Sequence, residues 1–147
     1  MRSEEEANRA VDLYGDNVRR ICMIHLKNRA DTEDIFQNVF LKYVLRTAPF
    51  DSPEHEKAWI IRVTSNACRD LLKSFFRSRT VSLDTLIEKP QEMPEDHSDI
   101  LEAFLALPEK YKDPIYLHYY EGYTAEEIGQ ILGKNTNTVY TLLTRAR

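Results

Sequence analysis

The sequence predicts an all-α protein: two small helical domains joined by an acidic linker, the C-terminal one a helix-turn-helix. Apolar residues recur at steps of three and four along most of the chain, and nowhere do they alternate with polar ones as in a half-buried strand. Only four glycines interrupt the 147 residues, which suits long helices. The third observation is "GYTAEEIGQILGKNTNTVY", two short amphipathic segments broken by Gly133 and a polar turn. With 42% hydrophobic residues, the chain can bury one ordinary core or two small ones.

The formal net charge of −4 is unevenly spread: residues 1–79 carry +2, residues 80–108 carry −6, and residues 109–147 sum to zero. The acid therefore concentrates around "DTLIEKPQEMPEDHSD", where prolines and clustered carboxylates read as a solvated connector. The expected boundaries are 1–79, 80–98 for the linker, and 99–147. The start "MRSEEEANRA" lacks the basic residues and apolar run of an export signal, and no segment approaches a bilayer span. The expected location is the cytoplasm, with no membrane insertion. Cys22 and Cys68 lie far apart in apolar-periodic stretches, outside any CxxC, and read as reduced core thiols.

The first segment, from about Glu4 to Lys27, repeats Ala7, Val11, Tyr14, Val18, Ile21 and His25 on one face, with Gly15 a place where it can bend or break. Cys22 and His25 share metal-ligand spacing, but two side chains make no site, so a buried thiol and imidazole are expected. After an expected cap at Asp31 or Thr32, "TEDIFQNVFLKYVLRT" puts Ile35, Phe36, Val39, Phe40, Tyr43 and Val44 on one stripe. The opposite face carries Asp34, Gln37, Asn38, Leu41 and Leu45. Two leucines beside an acid and two amides read either as a docking surface for a protein or as a solvated face with incidental leucines.

A third helix is announced by Ser52 as N-cap and Pro53 at the first helical position. Ile60, Thr64, Ala67, Cys68, Leu71 and Phe75 face inward, and Trp59, Arg62, Asn66, Arg69, Lys73 and Arg77 fall on the other side. Such a cationic ladder headed by an indole can neutralise phosphates, bond a base edge and stack on an unpaired base. The alternative is a solvated helix with Trp59 tucked into a neighbour.

Further on, a short helix ends near Leu107, and Asp113-Pro114 can start another that runs through Tyr120 and stops at Glu121-Gly122. Thr124 and Glu127 form a capping box, and Ile128, Ile131 and Leu132 face inward before Gly133. The last helix buries Val139, Leu142 or Leu143, and Ala146, and presents Thr136, Asn137, Thr138, Tyr140, Thr141, Thr144 and Arg145. These would enter a major groove, unless the pair is a hairpin completing a bundle. No His, Cys or carboxylate set converges at triad or metal spacing, so no enzyme, metal or cofactor is expected, and a hydrolase built on His25 or His118 is disfavoured.

Taken in order, "ADTEDIFQNVFLKYV", "WIIRVTSNACRDLLKSFFRSR" and "LPEKYKDPIYLHYYEGYTAEEIGQILGKNTNTVYTLLTRAR" resemble the extracytoplasmic-function (ECF) sigma factors of bacterial RNA polymerase, of the sigma-70 family. The resemblance implies a transcription initiation factor that binds core RNA polymerase and promoter DNA and is held in check by an anti-sigma factor. Asp34, Gln37, Asn38 and Leu41 match the motif that docks on the clamp helices of the largest subunit, with Leu45 alongside. The loop "TAPFDSPEHEK" matches the one that captures a flipped minus-10 base, with Phe50 as a stacking contact. Trp59, Arg62, Asn66, Arg69 and Lys73 match the helix that reads and melts that element, with Asp70 also on the family pattern. The C-terminal helix-turn-helix would read the minus-35 element, and the acidic linker would thread toward the active-site and RNA-exit channel. Tyr140 and Leu142 stand where many members are basic, and Lys134 where an apolar turn residue is usual. The resemblance implies a last helix that runs on for another turn or two where this sequence stops at Arg147, so either a short gene or a truncated chain is expected. A rival reading is a stand-alone helix-turn-helix regulator whose N-terminal helices dimerise or sense a ligand.

Overall fold

Our computed structural model describes residues 1–26, 28–77 and 98–145. Helix α1 (Glu4–Leu26) opens with three glutamates that suit the positive end of the helix dipole, and the Ser3 hydroxyl accepts from the Glu6 amide at 3.2 Å. It runs unbroken through Gly15, where a bend had been open. There the backbone passes under the Phe36 ring, 3.4 Å from where a Cβ would stand. Helix α2 (Arg29–Leu45) is capped by Asn28, whose side chain accepts from the Asp31 amide at 3.1 Å. The expected caps Asp31 and Thr32 thus fall inside the helix, and Thr32 is buried with its hydroxyl on the Asn28 carbonyl. Helix α3 (Pro53–Arg77) starts as expected, with Ser52 Oγ accepting from the His55 amide at 3.1 Å.

These three helices pack on one another around Ala10, Val18, Val39, Tyr43, Ile60 and Cys68. Burying such apolar side chains contributes about 1.5–3 kcal/mol each. Inside this core the Glu56 carboxylate accepts from Tyr43 at 3.0 Å and pairs with Arg9 at 3.5 Å. Burial, then the hydrogen bond and charge of Glu56, push the Tyr14 hydroxyl up to about 12.

The C-terminal lobe holds α4 (Ser98–Ala106), α5 (Glu109–Ile115), a π-helical turn (Tyr116–Tyr120), α6 (Ala125–Leu132) and α7 (Thr136–Arg145). Here Asp113-Pro114 does not begin a helix. Pro108 stands at the N-cap, α5 starts at Glu109, Pro114 lies inside it, and Asp113 is buried. The capping box forms as expected, with the Thr124 hydroxyl accepting from the Glu127 amide and Glu127 reaching back to the Thr124 amide. Gly133 closes α6 in the left-handed region at φ +71°. Of the two leucines left open for the inner face of α7, Leu143 is buried and Leu142 is half-buried.

Gly129 fits because a Cβ there would meet the Lys134 carbonyl oxygen at 2.6 Å. Gly129→Ala should therefore lower stability by about 1–3 kcal/mol, read as a fall in the midpoint of urea unfolding. An unchanged midpoint would show that the turn can shift freely.

The two lobes are not held apart. α1 packs on α4 and α5, and α3 packs on α6. One apolar cluster takes Ile21 and Ile24 from α1, Ile61 from α3, and Phe104, Tyr116, Leu117, Ile128 and Val139 from the C-terminal lobe. The acidic stretch lies outside the described residues, and α4 begins at Ser98, the last residue of the expected linker.

Candidate polymerase and nucleic-acid interface

The periodicity of α2 produces two opposed faces. Ile35, Val39, Phe40 and Tyr43 are buried, whereas Asp34, Gln37, Asn38, Leu41 and Leu45 all face solvent. Leu41 and Leu45 are 56% and 58% exposed, and adjacent leucines left wet beside amides offer apolar area with polar groups to orient a partner.

Between α2 and α3 the chain forms an aromatic corner. The Phe50 ring lies nearly parallel to Tyr43, with centroids 6.1 Å apart, and sits 5.6 Å from Trp59 and 5.3 Å from His55. The Arg46 guanidinium lies 4.4 Å from the Phe50 centroid and 5.3 Å from that of Trp59. Arg2 adds a second cation over Phe50 at 5.0 Å and donates to the Ala48 carbonyl at 2.9 Å. Cation–π contacts of this kind hold the corner in shape. Trp59 is therefore half-buried against Tyr43 and Phe50, a correction to the open indole expected at the head of the ladder.

Along α3, Arg62, Asn66 and Lys73 are exposed, and Arg69 is half-buried with Nη2 donating to Asn66 Oδ1 at 2.6 Å. The side chain of Arg77 lies outside the described residues. The simple division into an inner and an outer side fails at Ile61 and Ser65, which are 1% and 0% exposed. Both belong to neither expected face: α3 has a third side, turned toward the C-terminal lobe.

The turn into α7 is fixed by Gly133 and by Asn135, whose side chain accepts from the Thr138 amide at 2.8 Å. With Val139 and Leu143 buried, Asn137, Thr138, Tyr140, Thr141, Thr144 and Arg145 are exposed and Thr136 is half-buried. All the residues expected to meet a major groove thus border one outward surface, with Tyr140 59% exposed.

Polar groups that sequence reasoning did not assign bind the lobes together. His25, its side chain 1% exposed, places Nε2 2.7 Å from Asp113 and Nδ1 against Glu109. Burial alone would lower the pKa of His25, but the hydrogen bonds and charges of Asp113 and Glu109 outweigh it and push the value up to about 10. Burial likewise opposes the Glu109 charge, and His25 and Lys112 still hold its carboxyl below the ordinary range. Glu121, expected only as a helix stop, accepts from Asn17 at 2.8 Å and from Tyr116 at 2.8 Å and pairs with Lys57 at 2.9 Å. Those partners keep its carboxyl ionised against the cost of burial. His118, the other histidine weighed as a base, places Nδ1 3.0 Å from the Tyr123 carbonyl.

A helix-turn-helix thus packs on a three-helix lobe that carries exposed Arg62 and Lys73 on α3 and an exposed leucine pair on α2. Residues 10–79 match Sigma-70 region 2 and residues 97–147 match Sigma-70, region 4. The RNA polymerase sigma factor SigV of Bacillus subtilis is 35% identical over 86% of this chain and 78% of its own, and the ECF sigma factor SigW of the same organism 27% identical over 93% and 82%. In fold the chain resembles the sigma factor RpoE of Bartonella quintana, solved with the anti-sigma factor NepR, at a TM-score of 0.78 and 20% identity over 97% of this chain and 92% of that one. The chain belongs to the sigma-70 family of RNA polymerase sigma factors, of the ECF type. Members are transcription initiation factors that act with RNA polymerase, not catalysts. Among the described residues no helix is long and apolar enough to cross a membrane.

Proposed function

We propose that this chain docks on the clamp helices of the largest polymerase subunit through Asp34, Gln37, Asn38, Leu41 and Leu45, recognises a bipartite promoter and helps to melt it. The minus-10 element goes to α3 through Arg62, Asn66, Arg69, Lys73 and Arg77, with Phe50 and Trp59 bordering the site where an unstacked base would lodge. The minus-35 element goes to the outer surface of α7. The protein works in the cytoplasm without catalysis, and an anti-sigma factor is its expected antagonist. The observation that carries this reading is the leucine pair on α2, exposed although the opposite face supplies all the core contacts. A stand-alone regulator needs no such face, whereas an initiation factor must grip the enzyme it directs.

The test is run-off transcription and core-binding titration with bacterial core polymerase. Asn38→Ala/Leu41→Ala should weaken core binding about 10–100-fold, the scale of losing two interface anchors. Arg62→Ala/Lys73→Ala should keep core affinity while cutting open-complex formation about tenfold or more and flattening its salt dependence. Wild-type core affinity in the first pair would remove the docking assignment, and wild-type opening in the second would remove the role of α3.

A further inference from the structure

We propose that Arg2 is a positioning residue for base capture: it fixes the loop of residues 46–52 in the shape in which Phe50 can receive an unstacked base. This rests on the reading of Phe50 as the stacking contact, and the experiment below separates the two. Arg2 itself lies ahead of the matched residues 10–79.

The loop needs support from outside. Among the described residues, no hydrogen bond joins the backbone of residues 47–51 to another main-chain group, and Thr47, Ala48 and Pro49 are exposed. A segment with so few ties opens locally at little cost. Side chains supply what the backbone lacks. Arg46 Nε donates to the Ala48 carbonyl at 3.2 Å, Arg2 Nη2 donates to the same oxygen at 2.9 Å, and His55 Nδ1 accepts from the Asp51 amide at 3.0 Å. Of the three, Arg2 alone comes from outside the loop and the helices that it joins.

Arg2 is in turn held from three directions. Its amide donates to the Val44 carbonyl at 2.9 Å, in the last turn of α2, where carbonyls have no partner within their own helix. Its Nη1 pairs with Glu6 at 3.2 Å, and the Ser3 hydroxyl donates to the same carboxylate at 3.4 Å. The guanidinium lies 4.9 Å from the Tyr43 centroid as well as 5.0 Å from that of Phe50, and Tyr43 is part of the core. The Arg2 side chain is only 14% exposed and its Nε is buried, and a cation drawn out of water grips a ring more strongly. One side chain thus ties the loop to a fixed core ring and to the start of α1. Without that tie the loop holds the receiving shape for a smaller fraction of the time, and its apparent affinity for a base falls by that fraction. α2 and α3 keep their own caps and core contacts, so the exposed face of α2 is untouched.

Transcription by bacterial core polymerase loaded with the full chain tests this, on a promoter pool randomised in its minus-35 and minus-10 elements and barcoded downstream of the start. Phe50→Ala should flatten the base preference at one minus-10 position. Arg2→Ala should lower the preference at that same position about three- to tenfold, while the other positions, core affinity and the helical signal in circular dichroism stay as in wild type. Arg2→Lys, which keeps a cation and a donor, should recover part of the lost preference. An Arg2→Ala chain whose output falls evenly across the pool has lost structure alone, and that overturns the proposal. So does an Arg2→Ala preference equal to wild type where Phe50→Ala flattens one position, and that result leaves Phe50 as the stacking contact. If Phe50→Ala flattens no position, the reading of Phe50 fails and the proposal falls with it. Should Arg2→Ala lose its helical signal, Arg2→Met, which keeps an aliphatic stem against the rings, decides by the same criteria.

Discussion

His25→Ala is expected to lower the stability of the chain by about 3 kcal/mol. Removing one partner of a buried ionic cluster costs about 3–5 kcal/mol because the remaining charge is left dry and unpaired. The lower end applies because Glu109 is already 41% exposed and can rehydrate, whereas the Asp113 side chain at 9% cannot without movement of the lobe. Urea unfolding measures the loss, and a change below about 1 kcal/mol would mean that the imidazole contributes no more than a surface pair. The wild type should also carry a distinctive pH dependence. A histidine near 6.5 when unfolded and about 10 when folded stabilises the fold fully below 6.5. That contribution fades as the pH rises above 6.5 and is gone once it passes about 10. Glu109, held below its ordinary range, acts in the opposite sense: its share is present above its unfolded pKa and lost as acid protonates it. His25→Ala should flatten the alkaline limb of the stability curve, and an alkaline limb as steep as wild type would assign it to other groups.

Ile128→Ala should cost about 2–5 kcal/mol and remove promoter binding with it. Ile128 is fully buried in the cluster where α4, the π turn, α6, α7 and Ile61 of α3 meet. The lost methyl groups leave a cavity beneath the two helices whose mutual angle aims α7 outward. Core-polymerase binding, which we propose runs through α2, should survive, since that helix draws its packing from the other core. Affinity for duplex promoter in the presence of core enzyme is the measurement, and an unchanged value would show that the helix pair holds its angle without this side chain.

Much of this architecture was legible in the residues because local signals and packing agree. Ser52-Pro53, Thr124 with Glu127, and Gly133 mark helix ends by chemistry that operates within one turn, and each acts where the sequence places it. The stripe on α2 and the polar outer surface of α7 follow from a 3.6-residue period alone. What failed had a cause outside the helix concerned. Asp113 before Pro114 reads as a cap, but its carboxylate is drawn to His25, 88 residues away in sequence. Asn28 displaced Asp31 and Thr32 as a cap because Thr32 is claimed by burial. Ile61 and Ser65 were missed because a two-sided wheel leaves no place for a second neighbour. The available signal was their position beside Ala58, three small or apolar side chains at steps of three and four. Trp59 was read as an open ring because its partners, Tyr43 and Phe50, come from another helix and a loop.

The π-helical turn at Tyr116–Tyr120 closes with the Glu121 amide on the Tyr116 carbonyl, five residues back. It widens the coil by about one residue over an ordinary turn, and each residue of helix advances the angular phase by about 100°. The spelling of this short piece thus sets the azimuth at which Glu121 emerges. Shortening it by a single residue would swing that carboxylate off its bearing toward Lys57 and Asn17, so chain length here is as constrained as side-chain identity.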